Sequence, residues 1–90
     1  MAYDAARGVT ILFGGSVNDG DTREWDGVRW AQVAAEDDGG PSARYYHAMA
    51  YDSERGVTVL FGGAGPAGPS GLGDTWEWDG VRWALVSEQP

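Results

Sequence analysis

Cysteine and lysine are both missing from this sequence, and histidine occurs once, at His47. Without cysteine there is no disulfide, no thiolate metal site and no cysteine nucleophile, and the redox compartment is left open. One histidine leaves no serine, histidine and acid in a recognisable catalytic order. With lysine absent, all six basic groups are arginine, set against fourteen acids for a net charge of −8. That balance argues against nucleic acid or an anionic membrane as partner, because phosphate recognition needs a positive patch. No apolar run approaches the roughly 20 residues of a membrane-spanning helix. Met1 leads into repeat sequence rather than a charged and apolar leader, so these residues are expected to carry no export signal, and localisation stays open.

What the chain does have is glycine, 15 of its 90 residues, and a copy of itself. Met1 to Gly15 aligns with Met49 to Gly63 at an offset of 48, with 12 of 15 residues identical. Asp21 to Val33 aligns with Asp74 to Val86 at an offset of 53, with 11 of 13 identical. The offset grows because the longer Ala64 to Gly73 replaces Ser16 to Gly20. Self-similarity at such a period marks a repeat architecture. The counterpart of Pro41 to Ala48 has no match ahead of Met1, so the expectation is a stretch cut in mid-phase, excised or engineered.

The units read as strands and turns. Asp4 to Gly8 and Asp52 to Gly56 are turns opened by an acid and closed by glycine. Val9 to Phe13 and Val57 to Phe61 are β-branched and aromatic strands. Their apolar residues fall on both faces, which predicts a sheet covered on both sides. Gly14-Gly15 and Gly62-Gly63 end them where a neighbouring backbone passes close. The next strands are Asp74 to Asp79 and about Val81 to Val86, joined at Asp79-Gly80, a strong hairpin signal. A two-residue turn would set Glu77 against Arg82 and Trp76 against Trp83, and in the first unit Glu24 against Arg29 and Arg23 against Trp30. A four-residue loop would shift those partners. Either way Trp76, Trp78 and Trp83 share one face.

Three other motifs have bland readings. Gly63 to Gly68 spells G-x-G-x-x-G, but Pro66 and Pro69 forbid the helix a dinucleotide site requires, so it is a loop. Asn18-Asp19-Gly20-Asp21 lacks the spacing and terminal Glu of a calcium loop and reads as a turn. Asp37-Asp38 is a solvated acidic pair in the crossover from Ala34 to Ser42. His47 could become one of three around a three-fold axis, a number a zinc site can use, but no metal or cofactor is expected.

The order Arg44-x-x-His47, strand, Gly62-Gly63, Trp76-x-Trp78-Asp79-Gly80 and Trp83 resembles the kelch repeat. It is closest to the bacterial variety reading Asp-Thr-Trp-Glu-Trp-Asp-Gly, here Asp74 to Gly80. The resemblance implies an all-β fold of two four-stranded antiparallel blades of a β-propeller, residues 1–41 and 42–90. In the second blade, strand A would run from Arg44 to Tyr51, B from Gly56 to Gly62, C from Asp74 to Asp79 and D from Arg82 to Val86. The first unit departs from the pattern: it lacks the Arg-x-x-His half, and Arg23 stands where Trp76 stands later.

Two blades cannot close a ring, and each buries its faces only against neighbours. The expectation is therefore a non-catalytic scaffold that assembles with copies of itself, three chains favoured and four the alternative. Blade packing would fall to Trp25, Trp30, Trp76, Trp78, Trp83, Phe13 and Phe61. Ligand or rim candidates are Arg44, Tyr45 and His47, with a protein or carbohydrate as the outside partner. The rival expectation is a ligand- or metal-binding, enzyme-like site formed at the propeller axis of a larger parent protein.

Overall fold

Eight strands form in the computed structural model, which describes residues 1–15, 19–35, 38–65 and 72–88. They are β1 (Ala2–Asp4), β2 (Val9–Phe13), β3 (Thr22–Trp25), β4 (Trp30–Ala34), β5 (Ala48–Asp52), β6 (Val57–Phe61), β7 (Thr75–Trp78) and β8 (Trp83–Ser87). No helix occurs among the described residues. The strands form two four-stranded antiparallel sheets, each in sequential order, β1 to β4 and β5 to β8.

Each first hairpin is closed by its acidic residue. Asp4 Oδ1 accepts the amides of Ala6 and Arg7 at 3.0 and 3.1 Å. Asp52 Oδ1 accepts those of Glu54 and Arg55 at 3.1 and 3.2 Å. A short acidic side chain that satisfies two turn amides is the physical reason for Asp at this place. The same arginines then reach across β2 and β6. Arg7 holds Asp4 at 2.9 Å and Glu24 of β3 at 2.6 Å, while Arg55 holds Asp52 at 2.8 Å and also Glu77 of β7. Each sheet thus carries an Asp–Arg–Glu brace over its second strand.

The second hairpin turns on four residues, not two. Asp79 Oδ1 accepts the amides of Val81 and Arg82, both at 2.8 Å, and the Asp79 amide donates to the Arg82 carbonyl at 3.2 Å. Asp26 repeats the arrangement with Val28 and Arg29. Trp78 therefore faces Trp83, Glu77 faces Ala84 and Trp76 faces Leu85. The Glu77–Arg82 and Glu24–Arg29 pairs of the shorter turn do not form, because both glutamates are taken by the braces. Arg23 faces Gln32 rather than Trp30 and pairs with Asp19 and Asp21.

The strand expected from Arg44 begins only at Ala48. Tyr46 adopts a left-handed φ of 61°, which interrupts extended backbone, and upstream only Tyr45 bridges, to Ala64. The double glycines do permit close approach: a Cβ on Gly14 would lie 2.8 Å from the Arg44 carbonyl oxygen, and one on Gly63 2.8 Å from that of Tyr45. The core sits between the sheets and consists of Ile11, Phe13, Leu60, Trp78 and Trp83, with Val9, Ala34, Met49 and Trp76 packed at its edge.

Candidate functional site

The seam between the sheets is formed by two unlike faces. The first sheet contributes Val9, Ile11, Phe13, Thr22 and Glu24, which alternation and pairing put on one side of β2 and β3. The second contributes Thr58, Leu60, Trp78 and Trp83 from the opposite side of its own strands. Phe13 meets Trp83 edge-on with centroids 5.6 Å apart. Indole nitrogens need a partner when buried. Trp83 Nε1 donates to Thr22 Oγ1 at 2.8 Å, and Trp78 Nε1 donates to Glu24 Oε2 at 3.2 Å. The brace holds Glu24 in place for that bond, and the Glu24 carboxylate beside Arg7 raises the guanidinium pKa further above its ordinary value.

The repeat makes each of these faces occur twice, and its second occurrence is open. The counterparts of Ile11 and Phe13 are Val59 and Phe61; Phe13 is fully buried, whereas Phe61 is 41% exposed. The counterparts of Trp78 and Trp83 are Trp25 and Trp30; Trp83 is 9% exposed, whereas Trp30 is 45% exposed. The apolar residues do fall on both sides of each sheet, but within one chain each sheet is covered on one side only.

Arg44, Tyr45 and His47 sit where the chain crosses from one sheet to the other. Arg44 is a buried residue, 1% exposed. Its guanidinium donates to both Asp74 oxygens at 2.7 and 2.9 Å and to the Gly62 carbonyl at 3.0 Å. Arg44 holds the Asp74 carboxyl below its ordinary pKa, helped by the Trp76 indole, which donates to it at 2.7 Å. These bonds tie the crossover to the start of β7. Tyr45 exchanges backbone hydrogen bonds with Ala64 at 3.0 and 2.8 Å. Its ring meets that of the neighbouring Tyr46 at 4.7 Å, and Tyr46 is 90% exposed. His47 lies edge-on to Phe13 at 5.7 Å, with a buried Nδ1 that has no hydrogen-bond partner among the described residues. Burial and then the positive amino terminus lower its pKa, against a raising contribution from the Phe13 carbonyl.

Thr22, Glu24 and Asp74 accept the bonds that join this architecture, a role that sequence reasoning, which sets Glu24 against Arg29 and Asp74 at the start of a strand, does not assign to them. The signal is there in the repeat: Thr22 and Glu24 return unchanged as Thr75 and Glu77. A shallow groove of about 340 Å³ runs along the second sheet between Leu72, Asp74, Trp76, Leu85 and Glu88. Among the described residues, no three histidine or carboxylate side chains gather as a metal set. Pro66 to Gly68 of the G-x-G-x-x-G string, Asn18 of the calcium-like turn and Asp37 of the acidic pair lie outside the described residues.

The chain matches no model of a known protein family, and no curated protein is similar to it at a significant level.

Proposed function

We propose that this chain is a non-catalytic, kelch-type β-propeller scaffold whose working form is a closed ring of identical copies. The observation that carries this reading is the pair of open apolar faces, one bearing Trp25 and Trp30 and the other Val59 and Phe61. Burying a whole indole removes about 150–250 Å² from water, roughly 4–6 kcal/mol gross at about 25 cal/mol per Å². A single chain gives up much of that gain at Trp30 and Phe61, while the cost of ordering its backbone is undiminished. Propellers close with about 4–8 sheets, so three chains of two sheets supply six and four chains supply eight. Three is the favoured number, since it is the smallest ring that fits that range with a sheet count above the minimum.

The scaffold would present its loops and the crossover to an outside partner, a protein or a carbohydrate, with Tyr45 and Tyr46 on the rim. Arg44 and His47 serve that rim from behind, Arg44 by fixing the crossover to Asp74 and His47 by packing on Phe13. Light scattering at micromolar concentration tests the assembly. The expected particle is three chains of 9.6 kDa, about 29 kDa. A folded particle of one chain mass that persists on concentration ends the proposal.

A further inference from the structure

The two open faces are not merely apolar; both are already shaped as the two sides of the seam inside the chain. Trp78 and Trp83, packed in the seam, have centroids 5.4 Å apart and planes inclined at 47°. Trp25 and Trp30, on the open face, have centroids 5.5 Å apart and planes inclined at 44°. Neither of their indole nitrogens has a hydrogen-bond partner among the described residues. On the other open face, Arg55 braces Glu77 as Arg7 braces Glu24, and no indole donates to that carboxylate among the described residues. Thr75 lies on the same open side as Phe61, which it faces across the strands, as Thr22 lies beside Phe13. Tyr51 donates a hydrogen bond to Asp4 across the seam, while its counterpart Tyr3 is 59% exposed and the counterpart of Asp4 is Asp52.

We infer that a second copy of this chain docks head to tail, so that the joint between chains repeats the joint within one. In that joint Trp30 of one copy meets Phe61 and donates to Thr75 of the next, Trp25 donates to Glu77, and Tyr3 donates to Asp52. The joint is heterologous: the Trp25/Trp30 face binds the Val59/Phe61 face and neither face binds itself. Heterologous joints propagate until rotation closes them. This inference rests on the self-association proposed above and adds its polarity, its faces and its hydrogen bonds.

The test uses two full-length variants, each with one face spoiled at an exposed position. Phe61→Asp keeps the indole face, and Trp30→Ala keeps the phenylalanine face. Each alone is expected to stop at one chain mass by light scattering. Mixed in equal amounts they are expected to give a two-chain particle, about 19 kDa from two chains of 9.6 kDa, that grows no further. Circular dichroism runs alongside, so that two variants poorly folded alone still report pairing through structure regained on mixing. A third variant, Thr75→Val, removes the acceptor for Trp30 and is expected to weaken association about 5- to 10-fold. A variant that dimerises by itself would show face-to-same-face pairing and overturn the inference. So would an assembled wild type whose mixed variants gain neither mass nor structure, or whose association ignores Thr75→Val; the ring proposal would survive both. A wild type of one chain mass throughout removes the ring proposal and this inference together.

Discussion

Phe13 and Phe61 occupy the same place in two nearly identical sheets, flanked by the same leucine and the same pair of glycines. One is enclosed by Trp83 and His47, and the other is 41% exposed. Trp83 and Trp30 differ in the same way with the order reversed. What a residue contributes in this molecule depends on which neighbour its sheet has, not on the sheet that carries it. The first sheet lends one face to the seam and the second lends the opposite one, so the two copies have complementary deficits.

The largest break in that comparison should come from truncating the two phenylalanines. Phe13→Ala removes a fully buried ring and is expected to cost about 3–5 kcal/mol. Phe61→Ala should cost under about 1 kcal/mol in dilute protein, since its ring is partly in water there. Denaturant melts of both variants over a range of protein concentrations would measure the gap. If copies cover Phe61, the gap narrows as concentration rises; a gap that stays fixed would separate the two positions permanently.

Next in size is the contrast between two ways of holding one aspartate. Asp74 is held by buried Arg44, and Asp21, its counterpart, pairs with Arg23, whose side chain is 32% exposed. Arg44→Ala removes the ion-pair partner of the Asp74 carboxylate and a donor to the Gly62 carbonyl, and is expected to cost about 3 kcal/mol. Arg23→Ala is expected to cost under about 1 kcal/mol, as for other solvated pairs. Equal losses in thermal or chemical melts would mean that the crossover is not anchored through Arg44.

A smaller effect belongs to the indole hydrogen bonds. Trp83→Phe strands the Thr22 hydroxyl inside the seam and should destabilise by about 1–2 kcal/mol. Trp30→Phe should leave the dilute chain nearly unchanged and show its effect only in association.

The smallest prediction concerns pH and sharpens the asymmetry at the crossover. Burial lowers the His47 pKa from its ordinary 6.5, so the unfolded chain binds the proton more readily than the folded one. Stability is then full above that ordinary value and falls as pH drops below it. His47→Gln should flatten the slope in that window. Below it the carboxylates take over: Asp74 is held below its ordinary 3.8 chiefly by Arg44, so its contribution is lost as pH falls through the acid range. A slope near pH 6 that survives His47→Gln would place the titrating group elsewhere.

The strands around Val9 to Phe13 and Val57 to Phe61 were legible because β-branched and aromatic residues are concentrated there between a glycine-closed turn and a pair of glycines. The double glycines announced close backbone passage for the same reason. The four-residue hairpin was only one of two readings, since Asp-Gly serves both lengths and the outcome turns on Asp79 capturing two amides. The partners of Glu24 and Glu77 were misplaced by the shorter loop, and the arginines that claim them lie 17 and 22 residues away. Local spacing carries no trace of such a reach. Arg44 reads from the sequence as a ligand or rim candidate, because the acid that engages it is 30 residues off. The difference between Phe13 and Phe61 could not be read from residues at all, because the residues are the same.

Each Asp–Arg–Glu brace spans three strands and draws its own aspartate, arginine and glutamate from a single sheet. A gene segment encoding it therefore transmits a finished part, stiffened before it meets any neighbour. Duplication of such a segment adds a sheet without requiring simultaneous compensating change elsewhere, and substitutions such as Trp76 against Arg23 can then accumulate in one copy while the shared framework stays put.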